Sequence, residues 1–123
     1  MNGGIRTYFF FFLCLLTLFV RNYATEITTG FVGDLMLGRS VSEELVQTQN
    51  YSKLWGNLLP ILQSIDFNIA HLETTFSKNV VKVPKVFNFQ SDPLNVQALL
   101  AAHVKVVNLA NNHILDYGAK GLK

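Results

Sequence analysis

The sequence predicts an α/β domain with a mostly parallel sheet, preceded by a hydrophobic segment. Three β-like runs alternate with helical stretches along the 123 residues, and this alternation is typical of parallel sheets covered by helices. Each β-like run also ends in polar residues that can bind a ligand. Ligands of such sheets bind beyond the carboxyl ends of the strands, so the three endings predict one functional crevice.

The hydrophobic segment lies within residues 1–24. A charge-free run from Thr7 to Val20 is flanked by Arg6 and Arg21, a pattern typical of a secretory signal peptide. A retained membrane anchor is the alternative, although a spanning helix needs roughly 20 apolar residues. Both interpretations predict an exported protein of the cell envelope, membrane-associated or extracellular, with its folded part in residues 25–123.

The charge and cysteine content exclude two classes of protein. Arg6 and Arg21 account for the net charge of +2, and the remainder is formally neutral. A basic nucleic-acid-binding module is therefore not expected. The single cysteine, Cys14, rules out a disulfide within one chain and a cysteine-based zinc site.

The first strand is predicted at Ile27–Gly33, which is rich in β-branched and aromatic residues. A helix is predicted over Tyr51–Ile65, where leucine and isoleucine recur at helical spacing. It should kink or break near Leu59, because Pro60 lacks a backbone donor. A second strand is predicted at Phe67–Glu73.

Residues 74–90 have the composition of a loop, although 81–89 contains a segment that could form an edge strand. Lys78, Lys82 and Lys85 lie in this loop. They are candidates for attracting an anionic partner, and an ordinary solvated face is the alternative.

A further helix should begin after Asp92 or the preceding serine, because either side chain can cap it and Pro93 suits a first helical turn. The third strand is predicted at Val104–Ala110. Another helix is expected to open at Tyr117.

The polar residues at the three strand ends suit a divalent metal. Asp34, Glu73 and the pair Asn112 and His113 combine oxygen ligands with an imidazole, which fits manganese, magnesium, zinc or iron. Two such ions about 4 Å apart would stabilise the attacking and leaving oxygens of a phosphoryl displacement. Each ending taken alone is also explained by turn formation, helix capping or solvation.

Three segments carry a family resemblance: GDLMLGR at 33–39, HLET at 71–74 and VVNLANNHILDYG at 106–118. Together with KVFNFQSDP at 85–93, they resemble the poly-γ-glutamate capsule-biosynthesis (CapA-type) family of the calcineurin-like metallophosphoesterase superfamily. The resemblance runs from about residue 29 to the last residue in matching order.

The resemblance implies a fold and a function. The superfamily fold is an αββα sandwich of two sheets, and residues 25–123 would form its N-terminal part. The implied function is that of an accessory protein in capsule biosynthesis, with the anionic capsule polymer or its synthesis and export machinery as partner. An uncleaved N-terminal segment would add contact with the membrane. The alternatives are a metal-dependent phosphoesterase or other hydrolase of the cell envelope, and a non-catalytic fragment. The superfamily completes its metal site with later histidines, and a two-sheet sandwich cut this early would leave its sheet edges unpaired. This fragment alone is therefore expected to be inactive and unstable.

Carried over residue by residue, the resemblance implies a role for each matching position. Asp34 matches the first metal-binding aspartate, Glu73 the acidic position of the second motif, and Asn112 the metal-binding asparagine. His113 stands where a histidine would act on the leaving group. Asp116 would either orient His113 or cap the following helix.

Three further positions need comment. Two of them have both a functional and a structural interpretation, and the third is expected to be structural. His71 stands where the family more usually has asparagine, and is either a metal ligand or a buried strand histidine. Arg39 would face an anionic substrate or form a surface salt bridge. His103 is expected to be structural.

Overall fold

A computed structural model describes residues 26–122 of the chain. The predicted signal or anchor segment, residues 1–24, lies outside the described residues. In the part that is described, no helix combines the length and the apolar character needed to cross a bilayer.

The described residues form five strands, four α-helices and two 3₁₀-helices. The strands are β1 (Thr29–Leu35), β2 (Phe67–Leu72), β3 (Thr75–Phe76), β4 (Gln90–Ser91) and β5 (Val104–Asn108). The α-helices are α1 (Arg39–Thr48), α2 (Leu59–Gln63), α3 (Val96–Ala101) and α4 (Gly118–Gly121), and the 3₁₀-helices span Tyr51–Leu58 and Pro93–Asn95.

The centre of the fold is a three-stranded parallel sheet in the order β1–β2–β5. The sequence predicted this mixed α/β class and the parallel sheet, and both are confirmed. Strands β3 and β4 form a separate short parallel pair. All three long strands point their carboxyl ends to the same edge, as the sequence argument requires.

Within residues 26–122, one face of the sheet is packed and the other is open. In β2, burial alternates strictly, so that Asn68, Ala70 and Leu72 face the helices. This alternation is expected for a strand with one covered face. The buried apolar core on that side consists of Leu37, Leu45, Trp55, Ala70, Leu72, Ala98, Leu99, Ala102 and Val104.

The open face carries a row of apolar side chains across all three strands. Phe31 pairs in register with Ile69, and Ile69 pairs with Val106. Phe31 is 82% exposed and Val106 is 48% exposed. Such a contiguous apolar surface is typical of an interaction surface.

The helix predicted over Tyr51–Ile65 is divided in the structure. A 3₁₀-helix passes into α2 at Leu59, and Pro60 lies in the first turn of α2, where its missing donor costs nothing. A further interruption lies at Gly56, whose φ of 49° and ψ of −130° are not helical. The predicted break near Leu59 is therefore confirmed, and glycine adds a second break.

Helix α1, from Arg39 to Thr48, is absent from the sequence prediction. Its buried residues are only Ser42 and Leu45, so the apolar periodicity that indicates a helix is weak here. The chain leaves the helix at Gln49, which adopts a left-handed conformation with φ of 50°.

The predicted edge strand and the predicted end of the first strand are wrong. The edge strand suggested within 81–89 does not form, and only Gln90–Ser91 pairs, with β3. The first strand was predicted to end at Gly33, whereas β1 continues through Asp34 to Leu35. Asp34 is thus a strand residue, and not the first residue of a loop.

The remaining elements follow the prediction closely. The side chain of Asp92 accepts a hydrogen bond from the Leu94 N–H and caps the 3₁₀-helix that leads into α3. Strand β5 ends at Asn108, two residues before the predicted end. A short helix, α4, begins just after Tyr117.

Candidate functional site

Two register shifts bring polar side chains to the open face of the sheet. In β1 the shift between Val32 and Asp34 sets Asp34 opposite His71. In β5 the shift after Val104 sets Asn108 opposite His71 from the other side. Bulges of this kind re-aim side chains and are common beside functional sites. Without them, the period of two along each strand would direct Asp34 and Asn108 to the packed face.

Asp34, His71 and Glu73 form one cluster at the carboxyl edge of the sheet. Each offers a potential ligand atom, and these atoms lie within 4.8 Å of one another. Glu73 directly follows β2, and its N–H donates to the Leu35 carbonyl at 3.0 Å. The structure thus brings together the two carboxylates that the sequence predicted, and adds the imidazole of His71.

The side chain of His71 is held by its strand neighbour. Asn108 Nδ2 lies 3.3 Å from His71 Nδ1, while Asn108 Oδ1 accepts from the Ala110 N–H at 2.9 Å. The second bond fixes the amide orientation, so that the NH₂ group faces the ring. His71 is half-buried, beside the two carboxylates, and the sequence alone left its role open.

The segment 111–113 is attached to the same edge of the sheet. Asn111 Nδ2 donates to the Leu72 carbonyl at 2.7 Å, and Asn111 Oδ1 accepts from the His113 N–H at 2.9 Å. Because Leu72 is the residue before Glu73, this anchor holds the loop next to the cluster. Asn111 therefore has a structural role that the sequence did not assign.

Asn112 is not joined to the carboxylates. It is exposed, and within residues 26–122 its side chain forms no hydrogen bond with Asp34 or Glu73. Its backbone carbonyl accepts from Lys85 Nζ at 2.6 Å. The ligand role of Asn112 stays a prediction.

His113 and Asp116 are in direct contact. His113 Nδ1 lies 2.8 Å from Asp116 Oδ2, and the two side chains are 12% and 1% exposed. Helix α4 has no side-chain cap, so of the two interpretations of Asp116 the geometry favours the contact with His113. The ring of Phe89 stacks on the His113 ring with centroids 4.1 Å apart.

The carboxyl of Asp116 is ionised at neutral pH. Burial by itself would raise its pKa, but hydrogen bonds from Lys85, His113 and the Phe89 N–H outweigh this effect and hold the pKa below its ordinary value of 3.8. Since an ionised carboxylate only accepts hydrogen bonds, His113 Nδ1 is the donor. The Nε2 atom of His113 is then the nitrogen left for other chemistry.

Other candidates from the sequence lie elsewhere. The Arg39 guanidinium carbon stands 5.9 Å from the centre of the Phe87 ring, a cation–π arrangement. Lys78 pairs with Asp92 at 3.1 Å. His103 bonds through Nδ1 to the Ile65 carbonyl at 3.2 Å, in keeping with a structural role.

The fold and the cluster define a class of protein. A parallel α/β sheet with carboxylate and imidazole groups at its carboxyl edge is the arrangement of ligand-binding α/β domains, and it is consistent with the calcineurin-like superfamily. Residues 28–123 match the family described as bacterial capsule synthesis protein PGA_cap. The chain belongs to this family.

Individual relatives agree with this assignment. The chain is 31% identical over 107 residues to the PGA biosynthesis protein CapA of Bacillus subtilis, covering 85% of this chain and 28% of the relative. It is 34% identical over 102 residues to the capsule biosynthesis protein CapA of Bacillus anthracis, covering 80% and 25%. A probable polyglutamine synthesis accessory protein of Mycobacterium tuberculosis is 39% identical over 71 residues, covering 55% and 19%. The chain thus spans about a quarter of the length of these relatives.

Proposed function

We propose that this chain supplies the N-terminal part of a metal-dependent site in an exported accessory protein of poly-γ-glutamate capsule biosynthesis. The observation that carries the proposal is the convergence of Asp34, His71 and Glu73 within 4.8 Å in a member of the capsule synthesis family. The relatives from Bacillus, a PGA biosynthesis protein and a capsule biosynthesis protein, support the biological role.

The donor set fits a divalent cation. Asp34 and Glu73 offer carboxylate oxygens and His71 offers an imidazole nitrogen, a mixture suited to manganese, zinc or iron as well as magnesium. These three residues would hold the first ion, and Asn112 is a candidate for a second. A bound ion would polarise a phosphoryl or carbonyl oxygen and activate water.

The role proposed for His113 is proton transfer to the leaving group. Asp116 fixes the ring through Nδ1, so that Nε2 is the atom that carries the transferred proton. This is how a carboxylate orients a general acid histidine. Hydrolysis of a phosphoester or a related anionic bond is the reaction class that such a site would serve.

The open face of the sheet supports the two-layer sandwich that the family implies. Phe31, Ile69 and Val106 form an apolar row with no helix of residues 26–122 packed over it. A second sheet over this row would bury it and would place further ligands at the same edge. We therefore propose that the αββα fold is completed by chain outside this sequence.

The proposed location is the cell envelope. The support is the charge-free run Thr7–Val20 between Arg6 and Arg21, a pattern typical of export signals. The partners proposed are the anionic capsule polymer or the machinery that makes and exports it, with membrane contact where the segment is not cleaved.

The test uses the protein at its natural full length in a capsule-producing host. Asp34→Ala and His113→Ala should abolish surface poly-γ-glutamate, measured with a polymer-specific antibody at equal protein levels. Glu44→Ala is the matched control, because Glu44 is an exposed carboxylate that pairs with Lys53 on the surface. If capsule forms normally with both site variants, a non-catalytic role replaces the proposal.

A second measurement tests the metal and the reaction class. The purified full-length protein is assayed with methyl p-nitrophenyl phosphate, with Mn²⁺ and then with EDTA. Hydrolysis that requires Mn²⁺ and is lost in Asp34→Ala supports a metal-dependent hydrolase. Hydrolysis that is insensitive to EDTA, or none at all, contradicts it.

A further inference from the structure

Lys85 reaches from the long connection between β3 and β4 into the turn that holds His113. Its Nζ donates to the Asn112 carbonyl and to Asp116 Oδ1, both at 2.6 Å, and lies 3.5 Å from His113 Nδ1. About one-third of the Lys85 side chain is exposed, at 32%, whereas Asp116 is 1% exposed. The Lys85 ammonium group therefore contacts the residue that precedes His113 in the chain and the carboxylate that binds the His113 ring.

The two carboxylate oxygens of Asp116 accept hydrogen bonds from different donors. Lys85 occupies Oδ1, while Oδ2 accepts from His113 Nδ1 and from the Phe89 N–H, both at 2.8 Å. These hydrogen bonds offset the cost of burying the carboxylate. Because Lys85 occupies one oxygen, the other is directed at the imidazole.

The backbone of Asp116 is held by the same connection. Its carbonyl accepts from the Val83 N–H at 2.9 Å and from Asn88 Nδ2 at 3.1 Å. The irregular segment 83–89 thus forms a frame around Asp116 and the His113 ring. Lys85 is the charged member of this frame.

We propose that Lys85 is a positioning residue, which acts through Asp116 and the Asn112 carbonyl to aim His113 Nε2 at the leaving group. The inference rests on the proposed function. In the hydrolysis of a phosphodiester, a water oxygen bonds to phosphorus and loses one proton to solvent. The P–O bond to the leaving group breaks, the departing oxygen takes the proton from His113 Nε2, and His113 regains a proton from solvent.

The test compares two leaving groups in the full-length protein with Mn²⁺. Methyl phenyl phosphate releases a phenolate that needs a proton, whereas methyl p-nitrophenyl phosphate releases an anion that is stable without one. Lys85→Met should lower kcat for the phenyl ester by at least about tenfold more than for the p-nitrophenyl ester, because general acid catalysis contributes roughly 10²- to 10⁴-fold. KM should be unchanged for both esters.

Three further variants sharpen the comparison. Lys85→Arg keeps a cation and should restore most of the phenyl ester rate. Lys53→Met removes an exposed lysine that pairs with Glu44 at the surface, and should behave as the unsubstituted protein. Adding Lys85→Met to His113→Ala should cause no further loss, because residues that act as a unit are not additive.

Two results would overturn the inference. A loss by the same factor for both esters would mean that Lys85 only supports the fold. Additive losses in the double variant would mean that Lys85 does not act through His113. If the unsubstituted protein hydrolyses neither ester, the proposed function itself fails, and the positioning role fails with it. If the unsubstituted protein is active and either of the two results above is found, only the positioning role fails.

A measurement on the unsubstituted protein covers the case in which Lys85→Met does not fold. Nuclear magnetic resonance should detect the Lys85 ammonium protons in slow exchange with water, because Asn112 and Asp116 hold them. Rapidly exchanging ammonium protons would overturn the inference without any variant.

Discussion

Asp34 and His71 face each other across β1 and β2 because the register of β1 shifts at Gly33. The shift turns Asp34 out of the packed face and beside the imidazole. Asn108 reaches the same histidine from β5 through a second shift. The chemistry of this edge therefore depends on two local irregularities of the sheet, and not on the strand pattern alone.

Replacing His71 should change which metal the site prefers. His71→Asn removes the imidazole nitrogen of the cluster, so the affinity for Zn²⁺ should fall by about tenfold or more, because zinc favours nitrogen ligands. The affinity for Mg²⁺ should change little, since magnesium prefers oxygen. Isothermal titration calorimetry with each metal alone measures both affinities.

His103→Asn is the matched control for this substitution. His103 has a positive φ of 53°, which asparagine accepts well, and it lies outside the cluster. The zinc affinity of the His103→Asn protein should equal that of the unsubstituted protein. Equal zinc affinities in all three proteins would show that His71 is not a ligand.

Gly30 should not tolerate a larger residue. A Cβ atom at this position would overlap Asn68 Oδ1. Asn68 is fully buried and cannot move easily, because its Nδ2 donates to the Leu62 and Ala102 carbonyls at 3.0 and 2.7 Å. Gly30→Ala should therefore lower the free energy of unfolding by about 1–3 kcal/mol, measured by urea denaturation.

Gly33→Ala provides the comparison on the same strand. No atom of the described residues lies within 4 Å of a Cβ atom at Gly33. The unfolding free energy of Gly33→Ala should therefore stay within about 0.5 kcal/mol of the unsubstituted value. A Gly30→Ala protein as stable as Gly33→Ala would contradict the steric argument.

The sequence predicted the elements whose apolar pattern is strong. Strand β2 alternates strictly in burial, and its predicted and observed limits differ by one residue. Helix α1 was missed because Leu45 is its one fully buried apolar residue, while Ser42 joins it to the fold by polar contacts. Periodicity of apolar residues carries no information about such contacts.

The candidate site was predictable only in part. Polar residues at strand ends pointed to Asp34, Glu73 and His113, because parallel strands share one carboxyl edge. The shift at Gly33 and the role of Lys85 were not predictable. A register shift arises from pairing between strands, and the Lys85–Asp116 bond joins positions 31 residues apart, so neither leaves a local pattern.

The polar attachment of α1 gives a prediction about stability. Ser42 Oγ accepts from the Asp92 N–H at 3.1 Å and from Asn95 Nδ2 at 3.0 Å, in a buried location. Ser42→Ala leaves these donors without that acceptor and should cost about 1–3 kcal/mol. Ser40→Ala, an exposed serine on the same helix, is the control and should leave the unfolding midpoint in urea unchanged. Equal midpoints for the two variants would mean that this network does not stabilise the helix.

The ion pair of Asp116 should make the stability of the protein sensitive to acid. Because the pKa of Asp116 in the folded protein lies below its ordinary value of 3.8, its contribution to stability is fully present above that value. The contribution is lost as the pH falls through the folded pKa. Asp116→Asn removes the charge that Lys85 and His113 share, and at pH 7 it should cost about 3 kcal/mol.

The measurement is the difference in unfolding free energy between the unsubstituted protein and Asp116→Asn, taken from pH 7 to pH 2.5. This difference should shrink as the pH falls below 3.8. Asp66 and Asp92, whose pKa values are also lowered by hydrogen bonds, are present in both proteins, so their effects cancel in the subtraction. A difference that does not change with pH would show that Asp116 is not held as an anion by Lys85 and His113. Asp116 would then not orient His113 as a charged partner.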